Sequence, residues 1–277
     1  MGRRALERRL DTLVTDNRFT IAVVFPLVGA ALLVASAEGM LPGWLAYNPL
    51  LVLTGIFVMR LPLIAAVTPV IDRRGTAGII GLVLFTYAIE FVGLMTGWPY
   101  GEFSYLVDLG PMIAGVPVGL PVFYLPLVFD AYLLALLVLG GRPRRVVLVP
   151  VTIATVLLID LVLDPGAVAI GFWAYSVEGA YYGIPVSNYA GWLLSGTVVV
   201  LLVDLTIDRH RLQQRVRSCP FALDDLVSFV LLWGVINLLY LNTVPVLIAI
   251  GILVVVLRAG RFEFPSLRTV RLSSAWR

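Results

Sequence analysis

The chain has 277 residues, 60% of them hydrophobic and 13% charged, with a formal net charge of +3 and a mean hydropathy of +0.98. Soluble domains are about half apolar, so this composition excludes an ordinary soluble fold and predicts an all-α, polytopic transmembrane helix bundle. All 20 basic residues are arginine, which reads as genome bias and not as a nucleic-acid surface. A single cysteine, Cys219, and a single histidine, His210 in an arginine-rich loop, exclude an intrachain disulfide, a Cys/His metal centre and a Cys/His nucleophile system. Chemistry is left to carboxylates, hydroxyls, amides and rings.

Apolar runs of spanning length, about 17 to 25 residues, fall at 19–35, 48–71, 76–96, 118–139, 146–163, 188–205, 225–241 and 244–258. The arginines then orient them, because basic residues are retained on the cytoplasmic side. Five precede the first span, Arg73 and Arg74 follow the second, Arg142, Arg144 and Arg145 follow the fourth, four follow the sixth, and the last five end or follow the eighth. The alternate loops contain none, and only Arg60 lies within a span. Eight spans in the cell membrane with both termini cytoplasmic fit this pattern. It divides the chain into an arginine-rich segment (1–18), a transmembrane domain (19–259) and a cytoplasmic tail (260–277). The basic start, the apolar run and Ala35-Ser36-Ala37 also resemble a cleaved signal peptide, but the run is long for one, and an uncleaved anchor is the preferred reading.

Two long outer loops, 97–117 and 164–187, are rich in aromatics, glycine, proline and acids. They share a phrase: Gly115-Val-Pro-Val118 leads into the fourth span and Gly183-Ile-Pro-Val186 into the sixth. Glu90 and Asp160 precede these by similar intervals, so a tandem helix–loop–helix repeat is one reading and convergence on a Gly-Pro helix start the other.

A charge within hydrocarbon costs about 2.5 to 3.5 kcal/mol on insertion scales, which makes an intramembrane carboxylate a functional candidate. Glu90 lies in the outer half of its span, Asp130 near mid-span, and Asp160 with Asp164 at the outer end of the fifth span, in the sequence DLVLDP. The two aspartates are one helical turn apart and share a face. Two carboxylates that close in a poorly hydrated site cannot both ionise cheaply, so one keeps its proton and the pair is an acid/base couple. The alternative makes Asp164 a solvated residue at a helix end set by Pro165, and Asp160 a packing residue. Arg60 and Asp130 are read first as a structural ion pair and second as substrate-orienting groups. The loop tyrosines and tryptophans, Tyr100, Tyr105, Trp173, Tyr182 and Trp192 among them, form an interfacial belt by default, and some are expected to line a pocket whose ring faces stabilise positive charge. Asp224 and Asp225 suit a helix N-terminus.

The segments 90–105 (EFVGLMTGWPYGEFSY), DLVLDP and 181–192 (YYGIPVSNYAGW), in this order and spacing, resemble the membrane carotenoid hydratase family over residues 75–204. Family members commonly carry Phe where Tyr100 and Tyr189 stand here, a mild departure. The resemblance implies an archaeal or bacterial hydro-lyase of carotenoid biosynthesis. Its haloarchaeal branch hydrates the C50 carotenoid bisanhydrobacterioruberin to bacterioruberin, and the all-arginine composition suits that branch. It implies a carotenoid substrate in the bilayer, other membrane enzymes of the pathway as partners, and no cofactor or metal. The expected roles are Asp160 or Asp164 as the acid, the other carboxylate or Glu90 holding water, and Tyr182, Asn188 and Trp192 shaping the pocket. A proton-coupled transporter, an intramembrane prenyltransferase and a non-catalytic scaffold are the competing readings. The acids form no relay across the bilayer, which disfavours the first, and DLVLDP is too short for the Mg²⁺-diphosphate motif the second needs.

Overall fold

The structure is a computed structural model and describes residues 2–259. The predicted tail, with Arg261, Arg268, Arg271 and Arg277, lies outside the described residues. Every predicted apolar run within them is a helix. A π-helical turn at Thr20–Val24 continues into α2 (Phe25–Ala37), after a polar first helix, α1 (Arg3–Asp16). Then come α3 (Pro49–Val67), α4 (Arg73–Thr96), α5 (Leu120–Leu139), α6 (Arg145–Ala169) and α7 (Val186–Thr206). The polar α8 (Arg209–Ser218), α9 (Asp224–Leu239) and α10 (Thr243–Arg258) complete the order. Six helices are long and apolar enough to cross a membrane. The last two, 16 residues each, measure about 24 Å at 1.5 Å per residue, short of the roughly 30 Å hydrocarbon core.

α9 starts inside the bundle. Phe221, Ala222 and Leu223 before it are buried, as are Asp224 and Asp225 in its first turn. It packs against α2, α3, α6 and α10, with α5 and α6 packed on each other beside it. Small residues allow close approach where side-chain bulk would prevent it: a Cβ on Gly78 of α4 would lie 2.1 Å from Thr206 Oγ1 of α7.

Proline does not end α6. The sequence suggested a helix stopping before Pro165, yet α6 continues to Ala169. Proline lacks the N–H that would bond the carbonyl of residue i−4, and neighbours can replace that donor within a membrane bundle. Here the orphaned carbonyl is that of Leu161, which accepts a 3.1 Å bond from the Tyr181 hydroxyl. The same device recurs in α5: Pro126 leaves the Val122 carbonyl to Arg60 Nε, at 3.3 Å.

The aromatic loops are ordered by strands that an all-α expectation omitted. β1 (Phe103–Tyr105) pairs antiparallel with β4 (Trp173–Tyr175), and β2 (Met112–Ile113) forms a hairpin with β3 (Val116–Pro117). The β1–β4 register centres on Ser104 opposite Ala174. The interval separating those two also separates Glu90 from Asp160 and Tyr105 from Tyr175. The hairpin turn has positive φ at Ala114 (52°) and Gly115 (83°), and the corresponding turn has positive φ at Tyr182 (50°) and Gly183 (84°). Two consecutive positive φ values define the type I′ turn, which explains a Gly at its second position. Both turns lead through Val/Ile-Pro-Val into the next helix. Tyr124 and Trp192, equally spaced after the two turns, stack face to face at 4.9 Å and 13°. These matched intervals and turn conformations support the tandem-repeat reading, with the two units in contact at the β1–β4 pair and the Tyr124–Trp192 stack.

Candidate active site

Two clusters of buried charge lie at different levels of the bundle. The first surrounds Arg60, whose Nη1 meets Asp225 Oδ1 at 2.7 Å. This corrects the expected pairing of Arg60 with Asp130. Asp130 lies beside Asp225 and shares the same guanidinium field, because α9 inserts its N-terminus between α3 and α5. Asp224 takes Arg18 at 2.6 Å, and Asp204 accepts hydrogen bonds from Tyr132, Arg145 and Arg209. The helix-dipole role foreseen for Asp224 and Asp225 is therefore joined by ion pairing.

The second cluster stands at the arginine-free end, where α4 and α6 finish and α5 and α7 begin. Asp164 is 3% exposed and Asp160 is 0% exposed. Asn188 on α7 reaches both: its Nδ2 donates to Asp164 Oδ2 and lies 3.4 Å from Asp160 Oδ2. The Tyr175 hydroxyl, from β4, donates to Asp164 Oδ2 at 3.2 Å, and the Tyr105 hydroxyl, from β1, donates to Glu90. Burial, and then the adjacent carboxylate, push both phenols above their ordinary value, so each stays protonated and acts as a donor. None of the three carboxylates has an ion-pair partner among the described residues, and Asp160 Oδ1 has no hydrogen-bond partner.

Asp164 and Glu90 face a common cavity between the helices. Tyr100, Tyr105, Trp173, Asn188, Trp192 and Arg60 also line it, so most of the predicted substrate-binding residues converge there. Three predicted site residues do not reach it. Asp160 lies behind the wall, one turn from Asp164. Asp130 is enclosed beside Asp225. The hydroxyl of Tyr182 accepts the backbone N–H of Val244 at 3.1 Å, at the first turn of α10, where helix N–H groups lack internal partners. The alternative of Asp164 as a wetted helix-end residue is overturned, because α6 runs a further turn past it and α7 and β4 cover it.

Sequence reasoning left Tyr175 in the aromatic belt, although its interval from Asp160 repeats that of Tyr105 from Glu90. It also missed Tyr124, Phe172 and Trp233, which line the cavity but look like ordinary apolar helix or loop residues. No group of three or more His, Cys, Asp or Glu suited to holding a metal ion occurs among the described residues. Chemically, the site offers carboxyls that can give and take a proton, phenols that orient them, and ring faces able to stabilise a cation.

A membrane-embedded, aromatic-walled cavity with unpaired carboxyls defines an integral membrane protein equipped for acid/base work on an apolar molecule. Residues 47–256 match the family described as carotenoid biosynthesis protein, and the chain belongs to that family. It is 59% identical to the bisanhydrobacterioruberin hydratase of Haloarcula japonica over 271 residues, covering 97% of this chain and 92% of that one. No solved structure matches it.

Proposed function

We propose that this protein is a carotenoid hydratase of the cell membrane, adding water across the terminal isoprenoid double bonds of a C50 carotenoid and so converting bisanhydrobacterioruberin to bacterioruberin. The observation that carries this reading is the placement of Asp164 and Glu90 on the wall of one aromatic cavity, neither with an ion-pair partner among the described residues, while Arg60 in the same wall is bound to Asp225. The Asp160/Asp164 pair supplies the proton through Asp164, its wall member. Protonation of the less substituted alkene carbon forms a C–H bond from the π electrons and leaves a tertiary cation facing Trp192, Tyr124 and Trp233. Water held at Glu90, which Tyr105 orients, attacks the cation and forms the C–O bond. The proton lost from that water passes to Glu90 and returns across the shared cavity to Asp164, which restores the acid, so the net change is alkene plus water, with no redox partner required. Asn188 holds Asp160 and Asp164 in register by donating to both carboxyls.

Arginine placement supports eight spans with both termini cytoplasmic, which sets the three acids near the outer leaflet. A C50 substrate with two reacting ends must then be turned, or released and rebound, between hydrations. The carotenoid in the bilayer is the direct partner, and other membrane enzymes of the pathway hand it over. The test is carotenoid mass analysis of a host that accumulates the unhydrated C50 compound, with and without this chain. Gain of one water mass per end is expected, with a transient singly hydrated species. An unchanged carotenoid profile would falsify the reading.

A further inference from the structure

The cavity that holds the carboxyls is not the bundle's only apolar space. A second apolar cleft lies between α2 and α3 and is backed by α9. The two share Ile56, Met59, Phe172, Leu232 and Trp233 as lining residues, so the cleft abuts the reaction cavity and these side chains stand between them. Exposure falls along it: Leu51 at 51%, Leu32 at 40% and Phe25 at 38% form the rim, whereas Met59, Leu232 and Trp233 are buried. The rim lies on the surfaces of two helices long and apolar enough to span the membrane, so it opens towards lipid.

The serine, tyrosine and asparagine side chains in the cleft are already bonded within the protein. The Ser36 hydroxyl donates to the Leu32 carbonyl and accepts the Tyr47 N–H, the Tyr47 hydroxyl donates to the Ile170 carbonyl, and the Asn48 side chain accepts from the first turn of α3. A passage whose serine, tyrosine and asparagine groups are already engaged within the protein suits hydrocarbon and not water or a polar solute. Two glycines keep it open. A Cβ on Gly29 of α2 would sit 3.2 Å from Leu232 Cδ1, while one on Gly55 of α3 would meet nothing within 4 Å.

We propose that this cleft is a lateral entry and tail-binding site for the substrate's isoprenoid polyene, which slides in from the bilayer between α2 and α3 until one end reaches Asp164 and Glu90. The occupant is the substrate chain and not a resident lipid, because the inner end of the cleft abuts the reaction cavity. A long hydrocarbon with its reacting carbon at the tip needs such a path. This inference rests on the proposed hydratase function.

The test places bulk where the structure leaves room. Gly55→Phe, and Gly55→Leu if the larger variant fails to fold, should reduce hydration of the C50 carotenoid at least tenfold and reduce the carotenoid retained by the purified protein. The melting temperature should stay unchanged. Gly251→Phe, on an exposed face of α10 with equal room for a Cβ, should match the unsubstituted protein in both readouts. Hydration and retention by a folded Gly55 variant at the unsubstituted level would overturn the proposal. So would equal carotenoid retention with loss only of bound phospholipid, the signature of an acyl chain in the cleft. If the unsubstituted protein hydrates nothing, the hydratase reading fails by itself, and carotenoid retention still reports on the cleft.

Discussion

The two ends of the bundle handle buried carboxylates in opposite ways. At the arginine-rich end and the level just above it, Asp204, Asp224 and Asp225 each meet a guanidinium. At the arginine-free end, Asp160, Asp164 and Glu90 are served only by neutral donors: Asn188, Tyr175 and Tyr105. A paired carboxylate is held ionised and fastens helices together, at the risk of a large penalty if its partner goes. A carboxyl with neutral partners keeps both protonation states within reach, at a cost to stability. The contrast separates groups that hold the bundle together from groups free to move a proton.

Substitution tests the contrast from both sides. Asp164→Asn keeps the shape and removes the proton donor, so hydration should fall by about 10²- to 10⁴-fold, the span of general acid catalysis. Its thermal midpoint should hold or rise; a fall of several degrees in carotenoid-free protein would place Asp164 among the structural acids instead. Asp225→Ala should do the reverse. It strands Arg60 in the interior, and loss of one partner of a buried pair costs about 3–5 kcal/mol, read as a lower unfolding midpoint in detergent. Tyr175→Phe removes one donor from Asp164. A hydrogen bond to a charged group contributes about 1.5–3 kcal/mol, so roughly tenfold or more should be lost in kcat with little change in KM, whereas a general loss of packing would lower the melting temperature as well. The smallest expected effect is at Cys219. Burial pushes its thiol up to about 11, so it stays protonated below that pH and should resist a maleimide at neutral pH. Rapid labelling of folded protein would show the arginine-rich end to be looser than its ion pairs imply.

Much of this arrangement was legible in the sequence for definite reasons. A helix within hydrocarbon must satisfy its backbone internally, so apolar runs mark helices, and all eight predicted runs within the described residues are helical. The i,i+4 spacing of Asp160 and Asp164 is a local helical property and placed them on one face. Other features depended on neighbours distant in sequence. Arg60 could be identified as a buried cation needing an acid, but Asp225 became its partner only because α9 enters the bundle beside α3. Pro165 reads as a stop until Tyr181, from a following loop, caps the carbonyl it exposes. Tyr182 looks like a pocket aromatic beside Tyr181, yet a positive φ turns it towards α10. The strands were hidden because segments of two or three residues in aromatic loops carry no periodicity, and the β1–β4 pairing joins two distant loops.

By itself the sequence determined the membrane class, the helices and the presence of acids in apolar surroundings, since each follows from local composition and period. Only the tertiary structure decided which acids have a cation, which face the cavity, and where the cleft beside that cavity opens to lipid. Those properties depend on the approach of separate helices, and the free energy of a buried charge is set by what stands within a few ångströms of it, whatever its distance along the chain.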